Sequence, residues 1–297
     1  MKHTLKITLL LVLIFLFSQI IGLGIINEYI DHKATVVTGK AVFKQLPYNI
    51  TRPQIEERTS FIWIFAAILL GTGLIFLVMK FGGGGIWKTW FFLSVFICLT
   101  FAFGAFVNQY LALALALIVS FWKVFKPNIY VHNLSELFIY GGLAAIFVPI
   151  MNVFAVTVLL ILISGYDAYA VWKSKHMIKL AKWQSKEKIF AGLLLPYKMP
   201  KRVPKEAPKK SVKVKTAILG GGDIGFPLIF AGVVMKSLML NHSVLVGFLQ
   251  SLIVVAFSTL ALLMLLLKAK KDQFYPAMPF ISAGCFVGAL VVLLINL

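Results

Sequence analysis

Apolar residues run through this chain in long blocks divided by short polar breaks. A helix needs about 20 consecutive apolar residues to cross a hydrocarbon layer roughly 30 Å thick. Blocks near that length, some of them shorter, occupy residues 7–26, 60–79, 86–107, 110–121, 134–147, 150–172, 216–238, 243–267 and 276–296. They predict an all-α integral membrane protein with nine transmembrane helices. The first block is longer than a signal-peptide core and no small-x-small cleavage site follows it, so it reads as a retained helix. The breaks differ in chemistry. Gly82 to Gly85 close the second block in a tight connection, and no Gly-Lys-Ser/Thr follows, so the glycines carry no phosphate-binding signature. Pro149 separates the fifth block from the sixth. In the polar segment 28–59, Thr35-Val36-Val37 and Ala41-Val42-Phe43 flank Gly39 and predict a short β-hairpin.

Residues 173–215 break the pattern. They hold fourteen Lys/Arg together with Pro196, Pro200, Pro204 and Pro208, which reads as a mostly irregular cytosolic linker. Its first part, 176–190, has the pattern of a basic amphipathic helix lying on the membrane. The chain then divides into a six-helix part (1–173), the basic loop (174–215) and a three-helix part (216–297). Composition agrees: 60% of residues are hydrophobic and only 13% charged, against a usual charged share of about a quarter. The net charge of +19 sits beside apolar blocks rather than on one face. That distribution suits topology signals and contact with the lipid bilayer, not nucleic acid. With a cytosolic N-terminus, 23 of the 29 Lys/Arg fall on the cytosolic side. The chain is then a multi-pass protein of the cell membrane with an extracytoplasmic C-terminus. Cys98, Cys285 and the five scattered histidines form neither a disulfide framework nor metal-ligand spacing, and no cofactor is expected.

Two acidic residues lie well inside apolar blocks: Asp167, in ISGYDAYAVWK, and Asp223, in KTAILGGGDIGFPLIFAGVVMK. Glu136 stands near the start of its block and is expected to reach solvent. A carboxylate within the bilayer costs roughly 2.5–3.5 kcal/mol on insertion scales, so Asp167 and Asp223 need partners. Counting from the basic ends of their blocks puts Asp167 roughly 9 Å deep and Asp223 roughly 12 Å deep, both on the cytosolic side. Two carboxylates brought close in a medium of low dielectric cannot both ionise easily and tend to hold one proton between them. That is the working state of an aspartic protease pair. Gly220, Gly221 and Gly222 weaken the helix before Asp223, and Pro227 cannot donate to the Asp223 carbonyl four residues back, so the backbone is loosened on both sides of the carboxylate.

Tyr166-Asp167 on one block, Gly220-Gly221-Gly222-Asp223 on the next and Pro276-Ala277-Met278-Pro279 opening the last resemble the three signatures of the presenilin and signal peptide peptidase family. Members are nine-span intramembrane aspartyl proteases with Tyr-Asp, Gly-x-Gly-Asp and Pro-Ala-Leu motifs. The resemblance covers the whole chain, and the three motifs fall on matching spans. It implies that Asp167 and Asp223 are the catalytic pair, with Tyr166, Gly220, Gly222, Pro276, Ala277 and Met278 supporting them. Met278 stands where the family usually has Leu, a swap that preserves packing. Pro227 resembles the signal peptide peptidase branch, whereas a cytosolic N-terminus resembles the presenilin branch, so the chain looks like a microbial member outside both eukaryotic branches.

The implied substrates are single-span membrane proteins or remnant signal peptides, cut by an intramembrane aspartic endopeptidase. Ser211-Val212-Lys213-Val214-Lys215 alternates polar and apolar like a strand. It suggests that Val212 and Val214 help an unwound substrate segment pair by strand addition. The competing class is a proton- or ion-coupled transporter using Asp167 and Asp223 as a relay. No His-Glu-x-x-His is present for a zinc protease, nor a Gly-x-Ser-Gly for a serine protease.

Overall fold

A backbone in lipid has to bond to itself, and in the computed structural model the apolar blocks accordingly fold as helices. The structure describes residues 4–187, 189–197, 216–270 and 273–297. Eleven α-helices follow in order: α1 (Leu5–Tyr29), α2 (His32–Thr38), α3 (Ser60–Lys80), α4 (Gly84–Gly104), α5 (Gln109–Phe125), α6 (Ile129–Phe147), α7 (Val153–Ala168), α8 (His176–Lys186), α9 (Gly222–Leu238), α10 (Val244–Lys268) and α11 (Met278–Ile295). Two strands, β1 (Gly192–Pro196) and β2 (Thr216–Gly220), stand between α8 and α9. Among the described residues seven helices are long and apolar enough to cross a membrane; α5 is apolar but shorter, and α9 has 17 residues. Several helices start where a polar side chain caps them. Asn108, Asn128, Asn152 and Ser243 accept the N–H groups of Leu111, Tyr130, Ala155 and Val246, satisfying donors that the first turn leaves free.

One apolar core joins α1, α6, α7, α9, α10 and α11. α1 threads its middle, packing on α6, α9 and α10. α4 and α5 form a second cluster against the outer side of α6. α3 packs chiefly along α7 and α4 and buries just Ser60 and Ile64. Pro149 breaks the chain between α6 and α7 as expected. Lys236, near the end of α9, covers the carbonyls of that break: its Nζ donates to Pro149 O at 3.2 Å and Met151 O at 2.9 Å, and pairs with Glu57 at 2.9 Å. This contact fixes the last turn of α9 beside the start of α7. The end of α7 and the start of α9 therefore meet at the opposite end of the bundle.

Four expectations are corrected. Residues 35–37 lie in α2, not in a hairpin: the Asp31 side chain caps this helix at Ala34 N–H, and Gly39, at φ 65°, ends it. Only an isolated bridge, Ile30 to Phe43, remains of the pairing. The basic loop carries a helix, α8, within 176–190 as its pattern predicted, but 192–196 forms the strand β1 where irregular chain was expected. The block at 216 does not open as a helix. Residues 216–220 pair antiparallel with β1, Gly220 opposite Gly192, and α9 begins only at Gly222. Gly192 permits this pairing, because it sits at φ +140° and a Cβ there would lie 2.2 Å from Leu219 O. Finally, Glu136 is buried, at 1% exposure. α6 starts at Ile129, five residues earlier than expected, so Glu136 lies two turns inside it, facing Lys123 of α5 at 2.6 Å.

α6 approaches α4 closely at Gly142, where a Cβ would clash with the Cys98 carbonyl. Gly142→Ala should destabilise the bundle by about 1–3 kcal/mol through overpacking. Gly71→Ala on α3, with no atom within 4 Å of its Cβ, should be neutral or add up to about 1 kcal/mol through helix propensity. Thermal unfolding of the two variants in detergent checks the opposite signs.

Candidate active site

Asp167 lies in the last turn of α7, and directly after it Tyr169–Lys173 widen into a π turn, a feature frequent at functional sites. Among the described residues no side-chain cation pairs with its carboxylate. It accepts the backbone N–H of Met278 at 3.2 Å, and the Ala277 amide also donates to it. Met278 is the first residue of α11. The first N–H groups of a helix have no partner inside it and carry partial positive charge, so a helix N-terminus is a natural seat for a carboxylate. Pro279, at the second position of α11, has no N–H to offer. The free donors are therefore those of Ala277 and Met278, which explains why this short motif faces Asp167. One turn before Asp167, Ser164 Oγ donates to Ser282 Oγ at 2.9 Å and fixes the register of α7 against α11.

Asp223 stands in the first turn of α9, not eight residues into a helix as its block suggested. The strand at 216–220 removes the turns that would have preceded it. Gly220 N–H donates to its carboxylate. A Cβ on Gly220 would come within 3.2 Å of Asp223 Oδ2, and one on Gly222 within 3.3 Å of the Phe226 ring. Pro227 cannot take the carbonyl of Asp223, and the next carbonyl, that of Ile224, is bonded from outside the helix: Gln19 Nε2 of α1 donates to it at 2.8 Å. Gln19, wholly buried in α1, was overlooked in the sequence; its signal is a lone amide in the middle of an apolar block.

Both carboxylates line one cavity of about 1190 Å³. The cavity reaches Thr216, Ile218 and Gly220, one face of β2, and is roofed by Met177, Leu180 and Gln184 of α8. Tyr166 also lines it; its hydroxyl is 3.0 Å from His176 Nε2, and burial pushes His176 below the ordinary histidine pKa. Ala277 and Met278 line the cavity, while Pro276 is buried just before them. Val212 and Val214 lie outside the described residues.

Residues 50–296 match the family model described as signal-peptide peptidase, presenilin aspartyl protease. The chain belongs to that family. It is therefore an aspartyl peptidase, and its apolar helices make it a multi-pass membrane protein. The presenilin fold is also seen in two crystal forms of a presenilin family intramembrane aspartate protease. The C222 form matches with a TM-score of 0.66 at 20% identity over 97% of this chain and 99% of that one. The P2 form matches with a TM-score of 0.62 at 19% identity over 96% of each. No curated protein sequence matches.

For this presenilin-family chain, the contact between Gly220 and Asp223 yields a direct test. Gly220→Ala should displace the Asp223 carboxylate by a few tenths of an ångström and lower kcat on a transmembrane substrate about ten-fold, with the melting temperature in detergent unchanged.

Proposed function

We propose that the chain is an intramembrane aspartic endopeptidase in which Asp167 and Asp223 form the catalytic pair. The observation that carries this reading is the convergence of two carboxylates from separate helices on one cavity, each seated at a helix N-terminus. One carboxylate, as base, takes a proton from a water molecule as its oxygen attacks the scissile carbonyl. The other, protonated, donates to the developing oxyanion. Collapse of the tetrahedral intermediate breaks the C–N bond and returns the proton to the leaving amine. Tyr166, Gly220, Gly222, Pro276, Ala277 and Met278 support the pair, chiefly by presenting backbone donors and close backbone approach.

Substrates of this reading are transmembrane segments or remnant signal peptides arriving from lipid. A helical segment has to unwind before its carbonyl can be attacked, and an extended strand offers it a template. The face of β2 that borders the cavity is that template, and Val212 and Val214, which precede it in the sequence, are assigned to it by their alternating pattern. The seven long helices together with α5 and α9 make nine spans. Following the Lys/Arg distribution, the N-terminus and the site lie on the cytosolic side and the C-terminus outside.

Asp167→Asn and Asp223→Asn, each reconstituted with a model single-span substrate, should both lower cleavage by at least about a thousand-fold while leaving the fold intact. An aspartyl-protease transition-state isostere should block the native chain. Cleavage that survives either substitution, or an ion flux that either one abolishes, would sink the protease pair in favour of a relay. Val212→Pro or Val214→Pro should abolish cleavage without unfolding the protein if the strand template is right.

A further inference from the structure

Glu136 is the one buried carboxylate among the described residues. A buried ion pair rarely adds stability, because desolvation offsets the attraction, so the placement of this one calls for another account. One Glu136 oxygen takes the Lys123 ammonium of α5 at 2.6 Å. The other accepts the hydroxyl of Tyr140, one turn further along α6. Lys123 Nζ also donates to Ser135 Oγ at 3.0 Å and to His132 O at 3.2 Å, so the ammonium is fully engaged. His132, Glu136 and Tyr140 recur every four residues on one face of α6, and that face is turned to the β-sheet and the glycine turn. His132 Nε2 donates to Gly192 O at 2.7 Å. Asn133 bonds both the N–H and the C=O of Leu194, at 3.0 and 2.8 Å, as a neighbouring strand would.

The Tyr140 ring meets the backbone on either side of Asp223. A Cβ built on Gly221 would lie 2.7 Å from the Tyr140 hydroxyl and 3.1 Å from its Cε1, and one on Gly225 would lie 3.4 Å from Cδ1. Gly221 N–H is held from the other side by Ala191 O at 3.0 Å. The glycine turn is thus clamped between β1 and a tyrosine whose own hydroxyl is tied to a buried ion pair. We propose that Tyr140, anchored by Glu136 and Lys123, is a positioning residue that sets the Gly221 backbone and through it the carboxylate of Asp223. The inference rests on the aspartate-pair reading of the site. A purely structural role would show in stability or in substrate affinity alone, whereas a positioning role shows in turnover.

Tyr140→Phe removes one hydroxyl and keeps the ring. It should lower kcat about ten-fold, the scale of a sub-ångström misplacement, with KM within about two-fold; a modest fall in melting temperature accompanies it, because a buried Glu136 oxygen loses its donor. Gly221→Ala pushes on the same contact from the other side. The double variant should therefore lose less turnover than the product of the two single losses. Wild-type kcat in Tyr140→Phe, a change confined to KM, or losses that multiply independently would overturn the inference. If Asp223→Asn, assayed alongside, still cleaves, both this inference and the aspartate pair fall. An inactive Asp223→Asn beside a fully active Tyr140→Phe removes the positioning role alone.

Discussion

Hydrocarbon offers no water to a freed amide or a carboxylate, and the polar architecture of this chain follows from that constraint. Near three helix breaks or ends, a polar group from another helix bonds the backbone. The break at Pro149 is covered by Lys236. The Ile224 carbonyl beside Pro227 is taken by Gln19. The free N–H groups at the start of α11 are taken by Asp167. In this last case the solution is reciprocal: the carboxylate needs donors, the helix end needs an acceptor, and each removes the other's cost of burial.

Much of this was legible in the sequence because hydrocarbon thickness sets the length of an apolar block. The blocks and Pro149 appeared close to where they were expected, and Asp167 and Asp223 stood out as acids that could not be left alone. What escaped reading depends on neighbours that are distant along the chain. Glu136 near the start of a block looked solvated until α5 supplied Lys123 across a helix contact. Gln19 had no visible purpose until the Ile224 carbonyl, 205 residues away, came to lie against it. Thr35-Val36-Val37 favoured a strand by β-branching, but the Asp31 cap and the left-handed Gly39 close a helix instead, and local capping outweighed propensity.

The strand at 216–220 is the most consequential of these misreadings. Thr216 to Gly220 is apolar enough to continue the block that follows, so hydropathy alone merges it with α9. The glycines at 220–222 give the helix little reason to extend backwards, while Gly192 gives β1 a backbone that β2 can approach closely. The helix starts late as a result. Asp223 moves from the interior of a helix to its first turn, where the partial positive charge of the N-terminus meets it and a cavity can open beside it.

The positions of the two carboxylates are thereby set by two unlike registers. Asp167 is placed by helix packing, through Ser164 on Ser282 and the α11 N-terminus. Asp223 is placed by strand pairing, through Gly220 opposite Gly192 and the turn beneath Tyr140. A slip of one residue in the sheet would shift the strand by about 3.3 Å and turn its side chains to the other face. A slip of one residue along a helix would shift it by about 1.5 Å and rotate it by roughly 100°. No single slip of either kind can be compensated by one of the other, because neither the step nor the rotation matches. A pair of acids set in this way either meets in one arrangement or does not meet, which is what the proposed reaction, with both acids at a single carbonyl, would demand of its scaffold.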